Sequence, residues 1–191
     1  LAHYDDLTEY IYKERFKRQG SLNVGWLALG KNFDQKPASK EFLDKLWRIC
    51  TVSVARTRGF HFCELCPASD SEVIQELTRD GERLVLGTAE IRVFGTGDVI
   101  FAAPNLIFHY VSVHHYDPPA EFVAAVLNNP APPDRGYFER LKDLAYEWDW
   151  TFGLEKHRPR QQTKDGLVFL DEWGEGVPPI QNRRPPSNPQ P

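Results

Sequence analysis

The chain is poor in cysteine, has no long uninterrupted apolar run and carries no excess of positive charge, and each shortage narrows what it can be. Three cysteines in 191 residues, two of them in Cys63-Glu64-Leu65-Cys66, are too few for a disulfide scaffold and favour a reducing compartment with a metal. The apolar runs are too short and too interrupted for a membrane span, and Leu1-Ala2-His3-Tyr4-Asp5-Asp6 lacks the basic and apolar regions of a signal peptide. The expectation is a cytoplasmic protein with no membrane partner. A net charge of −4 argues against sequence-independent nucleic-acid binding, which draws its affinity from cations set against phosphates. Lys156, Arg158, Arg160 and Lys164 form a local basic run, read here as a solvated loop.

What is present suffices for a core: 41% of the residues are hydrophobic and 13% aromatic. The reading is one α+β domain over residues 1–173, opening with an aromatic arm over residues 1–33, then an extended Pro-rich C-terminal tail over residues 174–191. In the arm, Tyr4, Tyr10, Tyr12 and Phe16 follow no clean period, so their rings are expected to dock on the core, with Trp26 beside Gly25 as an anchor. Ser39 reads as the N-cap of a helix whose buried stripe is Phe42, Leu43, Leu46, Trp47 and Cys50. On that stripe Cys50 is either a small packing residue or an extra metal ligand.

Strands follow. Residues 73–78 and 83–86 flank Asp80-Gly81, a pair suited to a two-residue hairpin turn. Residues 89–94 and 99–103 come next, with Ile91 and Val93 alternating with Glu90 and Arg92, which predicts one buried and one wet face. Together these predict an antiparallel β-meander. Gly95-Thr96-Gly97 lacks the lysine and following helix of a phosphate loop and reads as a turn. Packed helices are predicted after Pro104-Asn105, after Asp117 and after Asp134, the last burying Tyr137, Phe138, Leu141, Leu144 and Trp148. An edge strand is expected over residues 167–170. Six of the last eighteen residues are proline, which suits an extended arm with Ile180, Arg183 and Arg184 available for contacts.

Metal chemistry is written in two pairs. Zn2+ takes four nitrogen or sulfur ligands in a tetrahedron, and Cys63, Cys66, His109 and His114 supply that number and type. The 42 residues between the pairs are too many for a compact two-cysteine, two-histidine finger. The order of a zinc knuckle, then strands, then a helix bearing the second pair resembles the treble-clef zinc folds over roughly residues 59–115. It departs from them in the longer sheet and in the wide spacing of His109 and His114, which suits a helix end. His61 is a fifth candidate. It is expected to support a ligand or to act in catalysis rather than to ligate directly. His115 is a weaker candidate, and a redox dithiol is disfavoured because no β-α-β pattern surrounds the cysteines.

A longer resemblance rests on Tyr4-Asp5-Asp6-Leu7, Asn23-Val24-Gly25-Trp26-Leu27, Arg58-Gly59-Phe60-His61-Phe62-Cys63-Glu64-Leu65-Cys66, Ala89-Glu90-Ile91-Arg92-Val93, Ala103-Pro104-Asn105 and the run from His109 to Pro119. From about residue 3 to about residue 127 the chain resembles a family of bacterial proteins of unknown function. The resemblance implies histidines at His61, His109 and His114 and cysteines at Cys63 and Cys66, and no activity.

Three functions compete. The first is a zinc-stabilised protein-binding domain, of the kind an immunity or antitoxin-like partner would be, engaging another protein or a second copy of the chain through its acidic surface or its tail. Four protein ligands would close the metal to substrate. The second is a zinc-dependent hydrolase or nuclease in which water replaces one histidine and Glu64 or Glu90 is the general base. No His-Glu-x-x-His signature supports it. The third, nucleic-acid binding through a treble clef, is poorly served by the charge.

Overall fold

An aromatic segment without a period has no regular face to bury, and the start of the chain accordingly winds over the core ring by ring. In this computed structural model, residues 2–57, 59–67, 73–79 and 81–150 are described in full, and 160–163, 166–170 and 176–177 as backbone. The chain divides into two units, Leu1–Thr151 and Phe152–Pro191. Within the first, Trp26 is 3% exposed and its indole N–H donates to the Ala102 carbonyl at 3.0 Å. The rings of Tyr4 and Tyr12 lie 5.7 and 4.9 Å from it, so the expected anchor is where the sequence placed it.

After a single 3-10 turn at Glu14–Phe16 comes β1 (Ser21–Asn23), then α1 (Lys40–Cys50) and β2 (Val52–Ser53). Ser39 caps α1 by accepting from the Phe42 amide at 3.2 Å. Phe42, Leu46, Trp47, Ile49 and Cys50 form its buried stripe. Strands β3 (Glu76–Arg79) and β4 (Glu82–Val85) make a hairpin in which Arg79 pairs with Glu82, leaving two turn residues. Gly81 has φ 80°, as such a turn requires, while Asp80 lies outside the described residues.

The expected four-stranded meander does not form. β5 (Glu90–Phe94) pairs antiparallel with β6 (Ile100–Pro104), but on its other side β6 pairs in parallel with β1, and β3–β4 remains a separate two-stranded sheet. The break falls at Gly87, which has φ 78° and lies so close to the His61 carbonyl that a Cβ there would come within 2.1 Å of it. That approach turns the chain out of the ladder and seats the cysteine segment beside it.

The face of β5 expected to be wet is also buried. Glu90 is 2% exposed and Arg92 not at all, because the arm covers them. Tyr10 donates to Glu90 Oε2 at 2.8 Å, Arg92 donates to the same oxygen at 3.0 Å, and Lys13 Nζ stands 3.2 Å from Oε1. The guanidinium also stacks over the rings of Tyr10 and Tyr146. Two charges on alternate positions of one strand thus neutralise each other inside the protein instead of facing water.

Three helices follow: α2 (Ile107–Val113), α3 (Ala120–Asn128) and α4 (Arg135–Asp143). Asp134 caps α4, whose Tyr137, Phe138 and Leu141 are buried as expected. The helix is shorter than its apolar period predicts. It stops at Asp143, and Ala145 takes φ 51°, so Leu144 and Trp148 lie beyond it and only half-buried. Strand β7 (Asp149–Trp150) then pairs with β2. No helix among the described residues is long and apolar enough to cross a membrane.

In the second unit, β8 (Arg160–Thr163), β9 (Gly166–Leu170) and β10 (Gly176–Val177) form an antiparallel sheet in the order β10-β9-β8. The strand expected at an edge over residues 167–170 is therefore the central one of a small sheet of its own. Lys156, Arg158 and Lys164 of the basic run, and the tail from residue 178 onward, lie outside the described residues.

Candidate metal centre

The approach to the cysteine segment is held by backbone bonds to the start of β5 and the stretch before it. Val54 donates to Glu90, Thr57 to Thr88 and His61 to Gly87, the last at 2.7 Å. The turn through Glu64 and Leu65 then brings Cys63 and Cys66 to one side. Opposite stands α2, whose start is tied to the same stretch by Asn105, a side chain 1% exposed. Its Oδ1 accepts from the Gly87 amide at 2.8 Å, and its Nδ2 donates to the Val85 carbonyl at 3.3 Å.

On a regular helix, residues five apart point about 140° away from each other, so His109 and His114 could not share an ion from the middle of one. The helix end resolves this. His114 is the C-cap of α2, His115 takes φ 57°, and the Tyr116 amide returns to the Tyr110 carbonyl at 3.1 Å. The chain curls so that the Nε2 atoms of His109 and His114 come within 3.1 Å. A donor from Gln35 to the His114 carbonyl, at 2.7 Å, fixes the curl from outside.

The four ligand atoms of Cys63, Cys66, His109 and His114 all lie within 4.8 Å of one another. Cys63 Sγ is 3.2 Å from His114 Nε2, and Cys66 Sγ is 3.3 Å from His109 Nε2 and 3.5 Å from His114 Nε2. With zinc bond lengths of about 2.3 Å to sulfur and 2.05 Å to nitrogen, a tetrahedron has edges of about 3.6 Å between S and N and about 3.3 Å between N and N. The observed edges fall within a few tenths of an ångström of these values. Hydrogen bonds alone would link such groups in pairs and have no need to draw all four to one point. The donor set could hold a metal ion, and its chemistry of two thiolates and two imidazoles suits zinc.

Burial shapes each group. Cys63 is 0% and His109 3% exposed, while Cys66 and His114 are half-buried, so the cluster has an inner and an outer side. Burial pushes the metal-free Cys63 thiol up to about 11. Burial, and then the neighbouring His114, push His109 down to about 4, which keeps its imidazole neutral and free to donate a lone pair.

Other candidates stand apart from the cluster. His61 is half-buried and anchors through its backbone. His115 is exposed at the left-handed turn. Cys50 is fully buried on α1, with its Sγ 3.7 Å from the Asn105 carbonyl. Of the two carboxylates considered as general bases, Glu90 is enclosed in its network with Tyr10, Lys13 and Arg92, and Glu64 Oε2 faces the Leu29 amide at 3.4 Å. The residues that sequence reasoning missed are Gly87 and Asn105, which carry no ligand atoms. Asn105 sits at a strand-to-helix junction, where a side chain able to accept and donate at once is an available signal.

No match was found among the curated proteins or among the solved structures. Residues 2–127, a stretch that contains all four ligand residues and both elements that carry them, match the family described as Domain of unknown function (DUF7919), and the chain belongs to that family.

Proposed function

We propose that this protein is a zinc-stabilised interaction domain. The observation that supports the reading is the convergence of Cys63, Cys66, His109 and His114 from two segments on one point, where an ion would join them. Four protein ligands complete a tetrahedron and leave no place for substrate, which is the signature of a structural site. The order of knuckle, hairpin and ligand-bearing helix also fits a treble-clef-like arrangement.

Binding rather than catalysis then carries the function. The partner we propose is another protein or a second copy of the chain, engaged through the acidic surface or the Pro-rich tail, whose prolines lower the ordering cost of docking. Three free thiols suit a reducing, cytoplasmic setting.

Elemental analysis of the purified protein tests the site: about one zinc per chain is expected in the wild type, and substantially less in Cys63→Ser and His109→Ala. His61→Ala should keep its metal. A full complement of zinc in Cys63→Ser would sink the assignment. Removing residues 174–191 and measuring oligomeric state and zinc content tests the partner reading, which expects association to weaken and zinc to stay.

A further inference from the structure

The three cysteines differ sharply in what can reach them. Cys50 and Cys63 are each 0% exposed, and Cys50 is enclosed by α1 and the start of α2. Cys66 alone is partly open, on the outer side of the cluster that it shares with the half-buried His114. Its sulfur lies within 4.8 Å of Cys63 Sγ, across a two-residue turn. Accessible thiolates are oxidised in preference to buried ones, and a neighbouring thiol converts the first oxidation product into a disulfide.

We infer that Cys66 is an oxidant-accessible modification site: hydrogen peroxide oxidises it, Cys63 closes a disulfide upon it, and the metal is released. The inference rests on the metal-site reading above. In the first step Cys66 sulfur attacks the peroxide, the O–O bond breaks, one oxygen stays as a sulfenic acid and the other leaves as water after taking a proton from solvent. In the second, Cys63 sulfur attacks Cys66 sulfur, the S–S bond forms, the S–O bond breaks and a second water leaves with a second solvent proton. The two sulfurs supply the two electrons that reduce the peroxide. His109 and His114 are then the only ligands left, and two imidazoles hold zinc far more weakly than the full set.

The geometry gives this release somewhere to act. The curl at His114 to Asp117 is the surface on which residues 34–36 are pinned, through Gln35 to His114, Lys36 to the His115 carbonyl at 2.7 Å, and Asp117 to the Asp34 carbonyl at 2.8 Å. Phe33, Asp34 and Asp117 in turn wall a cavity of about 540 Å³. Losing the metal frees the ligand-bearing end of α2 and slackens that wall, so oxidation reaches the surface beside the arm.

Zinc-loaded wild-type protein, with its metal content measured beforehand, is treated with hydrogen peroxide while a chromogenic indicator follows free metal and peptide mapping follows the thiols. Release of about one ion per chain is expected, with a mass lower by about 2 Da for the lost hydrogens, a Cys63–Cys66 crosslink and an unmodified Cys50. Amide exchange of residues 34–36 and 114–117 should rise at least about tenfold. Cys66→His offers an imidazole ligand in place of the thiolate and should release metal at least about tenfold more slowly. Should that variant fail to load, alkylation of the zinc-loaded wild type decides: Cys66 must react at least about tenfold faster than Cys63. Retained zinc, a sulfinic acid on Cys66 without a disulfide, or first reaction at Cys63 or Cys50 overturns the inference while leaving the metal site intact. Absence of metal in the purified protein overturns both.

Discussion

Asn105 Oδ1 accepts a hydrogen bond from the Gly87 amide at 2.8 Å, and this contact helps to make the support of the cysteine segment and the start of the histidine helix a single piece. Both partners are buried. Asn105→Ala leaves the Gly87 N–H without its acceptor, at a cost of about 1–3 kcal/mol. Gly87→Ala forces a Cβ against the His61 carbonyl at a positive φ and should cost at least as much. Urea unfolding reads both, and each variant should also retain less metal. Losses under about 0.5 kcal/mol would show that the junction does not position the site.

Chelation should lower the melting temperature, because an ion held by the four-residue cluster would tie the cysteine turn to α2, and its binding free energy would be part of the folding free energy. Rebinding zinc near pH 7 should release about two protons, one from each thiol, and none from the histidines. His109 is neutral there because burial holds it down near 4. Calorimetry in buffers of different ionisation enthalpy counts the protons, and a count near zero would mean that the thiols are not ligands.

Acid should weaken the metal-free protein over a defined window. His109 is held near 4 when folded and returns to an ordinary value near 6.5 when unfolded, so between those pH values the unfolded chain binds the extra proton. Stability contributed by the neutral ring is present above about pH 6.5 and is lost as the pH falls toward about 4, by an amount on the order of 2 kcal/mol. Urea midpoints across that range should fall in the metal-free wild type and fall less steeply in metal-free His109→Gln. Parallel slopes would remove His109 as the cause.

The Glu90–Arg92 pair should behave as a buried ion pair does. Breaking it from one side, by Glu90→Leu or Arg92→Met alone, strands a charge that nothing else neutralises fully and should cost about 3–5 kcal/mol. The double replacement should cost less than either single change. A strictly additive cycle would show that the two charges do not interact.

Along α4, Leu141 is 0% exposed and Leu144 only half-buried past the helix end. Leu141→Ala should therefore cost about 2–5 kcal/mol and Leu144→Ala less than about 1.5 kcal/mol. Equal losses would place Leu144 in the core after all.

Features encoded by neighbouring residues were legible in the sequence. Ser39 announced α1, and the Cys-x-x-Cys turn and the paired histidines announced the four side chains that cluster, because caps and residue spacing are local. What escaped was set by distant partners. The charges of Glu90 and Arg92 read as a wet face because Tyr10 and Lys13, which neutralise and cover them, lie far away in the chain. The meander failed because Gly87 answers to His61 across space, a demand that a strand pattern does not display. The early end of α4 escaped for another reason: Ala145 adopts a left-handed conformation with neither glycine nor proline to mark it.

The parallel pairing of β1 with β6 also sets an order of events during synthesis. Ser21–Asn23 leaves the ribosome before the strand it pairs with, Ile100–Pro104, which is about 80 residues downstream, some 4–16 s at roughly 5–20 residues per second. Over that interval the arm has no edge to join and Tyr10 has no Glu90 to bond. The arm is thus made well before its partners, and the nascent chain must keep four aromatic side chains, Tyr4, Tyr10, Tyr12 and Phe16, from finding other company until β6 emerges.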